Sequence, residues 1–155
     1  MKGHAQRAHA AAALPAVTPA REGAFRVRVR YAECDPMGVA HHAAYVPWLE
    51  VARTELLRTS GVAYAQLEAA GVFLVVVKLD LRYRRPILYD DVVEVRVRVR
   101  DAGRVKLEHA YDIVVVERAG AARDEVAAVA STTLACVDRE GRVAEVPAWL
   151  RGEGA

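Results

Sequence analysis

The sequence predicts an α+β domain in which an antiparallel β-sheet of about five strands wraps around one long central helix. Apolar residues recur at helical spacing in a single long segment, residues 44–59. The segments around it alternate instead between apolar and polar residues, as half-buried strands do. One helix cannot cover both faces of a flat sheet of that size, so we expect the sheet to curl around it.

The apolar face of the helix at 44–59 is formed by residues three and four apart: Tyr45, Trp48, Leu49, Ala52 and Leu56. Ser60-Gly61 is a stop signal, and a second, short helix is predicted at 64–69. Strands are predicted before and after these helices, over residues 25–31, 72–85, 93–100, 105–116 and 125–137. The last two strands are separated by a predicted loop at 118–123.

The length of 155 residues suits one domain with a sizeable core. We expect a disordered N-terminal extension at 1–24, the domain at 25–145 and a C-terminal tail at 146–155. The first residues are basic and rich in alanine. Their apolar stretch is short and interrupted by Pro15, so we do not interpret it as a signal peptide.

Charge and cysteine content argue against several classes of protein. The chain has 22 basic and 20 acidic side chains, a net charge of +2, so it lacks the positive field of most nucleic-acid-binding proteins. No apolar run reaches the roughly 18–20 residues of a membrane-spanning helix. Cys34 and Cys136 form no CxxC pair, which favours reduced thiols and a cytoplasmic location.

Asp35 is the residue whose position points to chemistry. It follows the first strand and precedes a Pro-Met-Gly turn, a few residues before the long helix begins. The unpaired amides and the positive dipole end of a helix stabilise an oxyanion, and a nearby carboxylate can attack a carbonyl or activate water. The alternative is a purely structural role for Asp35, since Asp before Pro commonly opens turns.

The residues around Asp35 resemble the signature of a known family. The motif consists of CDPMG at 34–38, His41-His42, Tyr45, Trp48-Leu49-Glu50 and Thr54-Glu55-Leu56-Leu57. It is similar to that of the 4-hydroxybenzoyl-CoA thioesterase family of hotdog-fold acyl-CoA thioesterases, in its YbgC-like branch. The resemblance extends more loosely through residues 85–91 to about Asp138. It implies a hotdog fold and the hydrolysis of small, medium or aromatic acyl-CoA thioesters.

The resemblance also implies roles for single residues. Asp35 would act on the thioester carbonyl as nucleophile or as general base, and the sequence does not choose between the two. The backbone amide of His42 would stabilise the oxyanion, and Gly38 would let the loop turn sharply or approach the acyl group. The side chains predicted to contact the substrate are Tyr31, His41 and Tyr45. Tyr45 also belongs to the apolar face of the helix.

Two other features have simpler structural explanations. His41 and His42 are adjacent but lack HxH or HxxE spacing, so no metal site is predicted. Glu50 can pair with Arg53 on the helix surface. We interpret Glu50 as structural or interfacial, although other hotdog branches use a helix glutamate as catalyst.

The arginines indicate where the rest of the substrate would bind. Arginine alternates along two predicted strands, at 26–30 and 96–100, where a solvated outer face explains it better than nucleic acid does. Arg84 and Arg85 precede Pro86 at the end of another strand. In the family that this sequence resembles, this place holds the phosphates of coenzyme A, and a guanidinium fork suits phosphate.

The expected partners follow from these assignments. Coenzyme A arrives as part of the substrate, and no metal or organic cofactor is expected. Open sheet edges predict a homo-oligomer, a dimer or a homotetramer, with active sites between subunits. Two alternatives stay open: the thioester is carried by an acyl carrier protein that docks on the arginines, or the protein binds acyl-CoA without hydrolysing it.

Overall fold

The computed structural model describes residue 14 and residues 17–153. Much of the extension that the sequence predicts to be disordered, residues 1–13, 15 and 16, therefore lies outside the described residues. Among the helices of the described part, none has the length and apolar character that a membrane span requires.

The strands are β1 (Glu22–Arg28), β2 (Phe73–Tyr83), β3 (Val92–Ala102), β4 (Lys106–Arg118) and β5 (Ala121–Val137). They form one antiparallel sheet in the spatial order β1-β3-β4-β5-β2, so β1 and β2 are its two edges. The helices are α1 (Tyr45–Thr59), α2 (Tyr64–Ala69) and the short α3 (Ala148–Arg151). A 3₁₀ turn at His42–Ala44 leads directly into α1.

The long helix packs on the sheet through the apolar face predicted from its sequence. Its buried side chains are Tyr45, Trp48, Leu49, Ala52 and Leu56. They share one core with alternate residues of the two central strands β3 and β4: Val93, Val95, Val97, Tyr111, Ile113 and Val115. Each fully buried aliphatic side chain contributes about 1.5–3 kcal/mol. The predicted fold class, one long helix against a five-stranded antiparallel sheet, is confirmed.

A second apolar core fills the end of the sheet near α2 and α3, and it consists of Val62, Leu67, Leu74, Leu107, Leu134, Cys136, Val146 and Leu150. Val146 and Leu150 lie beyond the predicted domain end at 145. At the other terminus β1 begins at Glu22 instead of Phe25, because Glu22 pairs with Arg98 of β3. The packed structure thus extends past both predicted boundaries. The prediction stopped short because the few apolar residues at each end show no helical or strand period in the sequence.

The prediction of a loop over residues 118–123 is wrong, because the chain there reverses in a tight hairpin. Ala119 and Gly120 have φ angles of +51° and +77°, the left-handed pair that joins adjacent antiparallel strands. β5 therefore begins at Ala121. Its first residues are exposed on both faces, so this part of the strand shows no alternation of apolar and polar residues.

A buried ion pair fixes the turn between β2 and β3. Asp91 is 1% exposed and accepts hydrogen bonds from Arg118 Nε at 2.9 Å and from Arg118 NH2 at 2.7 Å. The Leu88 backbone N–H donates to the same carboxylate at 2.8 Å, and Arg118 also donates to the Pro86 carbonyl at 3.1 Å. The end of β4 thereby holds the whole 86–91 turn in place.

Replacing Asp91 by Asn should destabilise the protein strongly, because Arg118 would lose the charge that compensates its burial. Breaking such a pair by removing one partner costs about 3–5 kcal/mol. The matched control is Asp90→Asn, since Asp90 is exposed and Asn tolerates its φ of +67°. Urea unfolding should show the large loss for Asp91→Asn alone, and an equal, small loss in both variants would contradict this role.

His109 of β4 is a buried imidazole that stays neutral. It is 4% exposed, and its Nδ1 atom has no hydrogen-bond partner among the described residues. Burial lowers the pKa of His109 to about 4, with smaller contributions from the positive charges of Arg53 on α1 and of Arg21. Protonating this side chain therefore favours the unfolded chain.

Stability should fall as the pH falls from the unfolded pKa of His109, near 6.5, toward its folded value of about 4. From about pH 7.5 to about pH 5 the expected loss of unfolding free energy from this group is about 2 kcal/mol. His109→Gln should remove that part of the pH dependence in chemical denaturation. The same slope in both proteins would show that His109 is not the titrating group.

Candidate active site

The loop that carries Asp35 is a small hairpin held by backbone hydrogen bonds. Cys34 and Ala40 form an isolated β-bridge, and the Asp35 N–H donates to the Val39 carbonyl at 2.9 Å. The Ala40 N–H donates to the Ile87 carbonyl at 2.7 Å, which ties this hairpin to the 86–91 turn. Asp35 Oδ1 accepts from the Met37 N–H at 2.8 Å, the Asx turn expected of a structural aspartate. Because the Asx turn uses only Oδ1 of Asp35, the other carboxylate oxygen remains available for a reaction.

Gly38 allows this turn through its backbone conformation. Its φ is +78°, in the left-handed region that side chains disfavour. A Cβ atom built on Gly38 would meet no atom within 4 Å. Of the two roles considered for Gly38, the geometry supports the sharp turn, because nothing in the chain itself crowds the position.

The start of the long helix presents an unpaired backbone amide. The 3₁₀ turn begins after His41, whose Nδ1 accepts from the Ala43 N–H at 3.1 Å. The His42 N–H has no acceptor among the described residues. The predicted oxyanion donor is therefore available, and the positive end of the α1 dipole lies directly behind it.

An open groove brings together most of the residues predicted for the site. The predicted residues that line it are Asp35, His42, Tyr45, Arg84 and Arg85. The rest of its wall comes from the Asp35 hairpin and the end of β2: Met37, Val39, Ala40, Tyr83 and Pro86. Burial, and then the neighbouring Tyr83, raise the pKa of Tyr45 to about 12. Tyr45 is therefore a neutral aromatic wall of the groove as well as a core residue.

Tyr31 and His41 do not line this groove. Tyr31 is 80% exposed and packs edge-to-face on Tyr89, with ring centroids 5.7 Å apart. The His41 ring stacks on that of His42 at 3.9 Å and uses its Nδ1 to cap the turn. Among the described residues no three His, Cys, Asp or Glu side chains converge as a metal-binding group. The predicted substrate contacts of Tyr31 and His41 stay predictions.

Glu33 is a structural residue of the site that the sequence analysis missed. It is 9% exposed, and its carboxylate accepts from Trp48 Nε1 at 3.0 Å and from Arg30 NH2 at 2.9 Å. Burial raises the pKa of Glu33, but these hydrogen bonds outweigh burial and hold the pKa below its usual value. Because the Glu33 carbonyl also accepts from the His41 N–H at 2.7 Å, one residue joins the Asp35 hairpin to the helix.

Tyr83 at the end of β2 is a second residue that the sequence analysis did not single out. Its hydroxyl donates to the His42 carbonyl at 2.8 Å, and its ring packs edge-to-face on Tyr45 at 5.0 Å. Tyr83 thereby holds the peptide next to the unpaired His42 amide. The sequence signal was its position at the strand end before Arg84-Arg85-Pro86, which alternation alone marks as ordinary strand.

The arginines differ in how closely carboxylates pair with them. On the outer face of the sheet, Glu94 pairs with Arg26 at 3.0 Å and with Arg96 at 2.8 Å. Arg98 pairs with Asp112 at 2.9 Å. Arg84 has no carboxylate partner among the described residues, and Arg85 reaches Glu125 only at 3.7 Å. The predicted phosphate-binding pair is thus freer than the outer arginines.

Comparison with known proteins identifies the family. The thioesterase-like superfamily matches residues 29–153. The chain belongs to this superfamily. The putative acyl-CoA thioesterase YneP of Bacillus subtilis is 35% identical over 114 residues, covering 74% of this chain and 78% of that protein. A putative esterase of Aquifex aeolicus is 28% identical over 123 residues, covering 79% and 90%.

Solved structures of similar proteins share the fold. The hypothetical protein TT1821 of Thermus thermophilus superposes with a TM-score of 0.71 at 39% identity, covering 80% of this chain and 90% of that one. The DHNA-CoA thioesterase of Staphylococcus aureus superposes with a TM-score of 0.71 at 31% identity, covering 82% and 80%. The predicted family, hotdog fold and enzyme class, a thioester hydrolase, are confirmed.

Gly38→Ala should lower both stability and thioester hydrolysis, because a side chain at this φ would distort the Asp35 hairpin. The left-handed conformation costs a non-glycine residue about 1–2 kcal/mol, and displacing a reacting group by about 1 Å can cost about a hundredfold in rate. Gly141→Ala is the matched control, since its φ is +77° and its Cβ position is equally open. Thermal melts should shift alike in both variants, and hydrolysis should fall only in Gly38→Ala. Full activity of Gly38→Ala would contradict this role.

Proposed function

We propose that this chain hydrolyses acyl-CoA thioesters, with Asp35 as the catalytic carboxylate and the His42 amide as the oxyanion donor. The observation that carries the proposal is the meeting of this carboxylate and this unpaired amide in one groove. The relatives support the substrate class, since the Bacillus subtilis protein is named a putative acyl-CoA thioesterase and the Staphylococcus aureus enzyme a DHNA-CoA thioesterase.

The His42 amide would stabilise the tetrahedral intermediate. Attack on a thioester moves negative charge onto the carbonyl oxygen, and a fixed N–H aimed at that oxygen favours the transition state over the substrate. Removing one such donor typically costs about 10²–10³ in rate. The α1 dipole adds to this field, and the bond from Tyr83 keeps the adjoining peptide in position.

Asp35 would begin the reaction in one of two ways. As nucleophile, its oxygen attacks the thioester carbon, the C–S bond breaks, and water later hydrolyses the resulting anhydride. As general base, it takes a proton from a water that attacks the same carbon. The neighbouring Cys34 does not compete, because burial, and then the nearby carboxylates, raise the pKa of its thiol. Neither route calls for a metal or an organic cofactor.

The remaining lining residues suit the two ends of an acyl-CoA. Tyr45, Tyr83 and Met37 offer apolar surface for the acyl group. Arg84 and Arg85 line the same groove, and the planar guanidinium matches phosphate oxygens. Among the outer arginines, Arg26, Arg96 and Arg98 are already paired within the chain, which leaves an acyl carrier protein less free positive charge to dock on.

A second copy of the chain would complete the site. The edge strand β2 exposes a row of apolar side chains, each 40–55% accessible: Val75, Val76, Val77 and Leu79. An exposed, apolar sheet edge favours pairing with another copy. We therefore propose at least a dimer, in which a neighbouring subunit adds to the open groove.

The two free cysteines, Cys34 and Cys136, support a reducing, cytoplasmic location.

Asp35→Asn should abolish hydrolysis without disturbing the hairpin, since an Asn oxygen can still accept from the Met37 N–H. A loss of roughly a hundredfold or more is expected when thiol release is measured over short, medium and aromatic acyl-CoAs. Asp138→Asn is the matched control, because Asp138 Oδ1 accepts from the Glu140 N–H at 3.0 Å in a similar turn. Its activity should be unchanged.

Equal rates in native protein and Asp35→Asn would refute the assigned role of Asp35. If neither protein hydrolyses any free acyl-CoA, acyl carrier protein thioesters are the next substrates to assay. Binding of acyl-CoA without turnover of either donor would make the protein a non-catalytic acyl-CoA-binding member of the family.

A further inference from the structure

A second cavity lies away from the Asp35 groove, between the C-terminal half of α1 and the sheet. Its volume is about 40 Å³. Leucines from α1, β2, β4, β5 and α3 form much of its wall: Leu56, Leu74, Leu107, Leu134 and Leu150. It shares no lining residue with the groove of Asp35, which meets α1 at its opposite end.

Arg53 places a nearly buried positive charge in this cavity. Its side chain is 12% exposed, and its guanidinium makes no hydrogen bond among the described residues. The closest carboxylate is that of Glu50, at 3.5 Å, and the Glu50 side chain is 68% exposed to water. A guanidinium has five N–H donors, so leaving it without an acceptor in a desolvated place is costly.

His109 is a second polar residue that lines the same cavity. It is 4% exposed, and its Nδ1 is without a partner in the described part of the chain. Arg53 and Arg21, both of which line the cavity, help to keep this imidazole neutral. A neutral imidazole retains one N–H donor, and which nitrogen carries it depends on the acceptor it meets.

The lining therefore has a defined chemical preference. It contains two guanidiniums and a histidine but no Asp or Glu, and the remainder is largely apolar. An anionic acceptor would satisfy Arg53 and His109 together, and the leucines favour carbon atoms behind that anion. Water could accept the hydrogen bonds but brings no negative charge, and the carboxylate closest to Arg53, that of Glu50, is itself largely exposed to water. One water needs about 10–15 Å³, so the space suits a small group.

We propose that this cavity binds a short-chain monocarboxylate. Its carboxylate accepts hydrogen bonds from the Arg53 guanidinium and from His109, and its carbon chain contacts Leu107 and Leu134. The site does not depend on the function assigned to Asp35. Thioester hydrolysis releases a carboxylic acid, so a hydrolase with this site would bind a free acid at the end of α1 opposite to the reaction.

The test is a titration of the native protein with propionate, followed by NMR of the imidazole signals. His109→Gln assigns the signal of His109 among the five histidines. The titration is run at neutral pH with chloride holding the ionic strength constant. We expect a saturable shift of the His109 signal with propionate and none with propionamide, which has nearly the same shape and no charge.

Two variants locate the binding site. Arg53→Met should weaken propionate binding at least tenfold, because the ligand loses a charge-assisted hydrogen bond. Arg58→Met is the matched control on the same helix, since Arg58 is exposed and pairs with Glu55. Its propionate affinity should equal that of the native protein.

The proposal fails if propionate produces no saturable shift, or if propionamide binds as well as propionate. Either outcome would mean that the cavity does not select an anionic ligand. It also fails if folded Arg53→Met binds propionate with native affinity. The comparison of propionate with propionamide uses the native chain, so it decides the matter even if Arg53→Met does not fold.

Discussion

The hydrogen bonds of the buried Glu33 carboxylate are the interactions on which the geometry of the candidate active site depends. The carboxylate accepts from Trp48 within α1 and from Arg30 just after the end of β1, while the backbone carbonyl of Glu33 accepts from the His41 N–H. One residue thereby connects the strand, the Asp35 hairpin and the start of the helix. A buried carboxylate is costly without donors, so these hydrogen bonds are needed to keep Glu33 in its place. This arrangement fixes Asp35 relative to the helix end before any substrate binds.

A second set of contacts supports the hairpin from the other side. The Asp91–Arg118 pair holds the turn after β2, and that turn accepts the Ala40 N–H through the Ile87 carbonyl. Tyr83, at the end of the same strand, bonds to the His42 carbonyl. The groove is therefore fixed by one buried ion pair and a few hydrogen bonds, and the sheet supplies the rigid base for both. Catalytic groups held in this way need little reorganisation during the reaction.

The sequence predicted the parts of this protein that depend on local pattern. The apolar face of α1 follows from its spacing, and the position of Asp35 before the helix follows from chain order. The contacts of Glu33 and Tyr83 could not be foreseen from local pattern, because Trp48 lies 15 positions after Glu33 and Tyr83 lies 41 positions after His42. The hairpin at Ala119–Gly120 was missed because the strand after it is exposed on both faces. The cavity at Arg53 and His109 also arises only when α1 and β4 are packed together.

The central claim is that Asp35 and the His42 amide act on the same carbonyl group. The most direct measurement is a crystal structure of Asp35→Asn with an intact acyl-CoA bound. We expect a thioester carbonyl oxygen about 3 Å from the His42 nitrogen, with the carbonyl carbon beside residue 35. A thioester bound elsewhere, or one whose carbonyl points away from the start of α1, would contradict it.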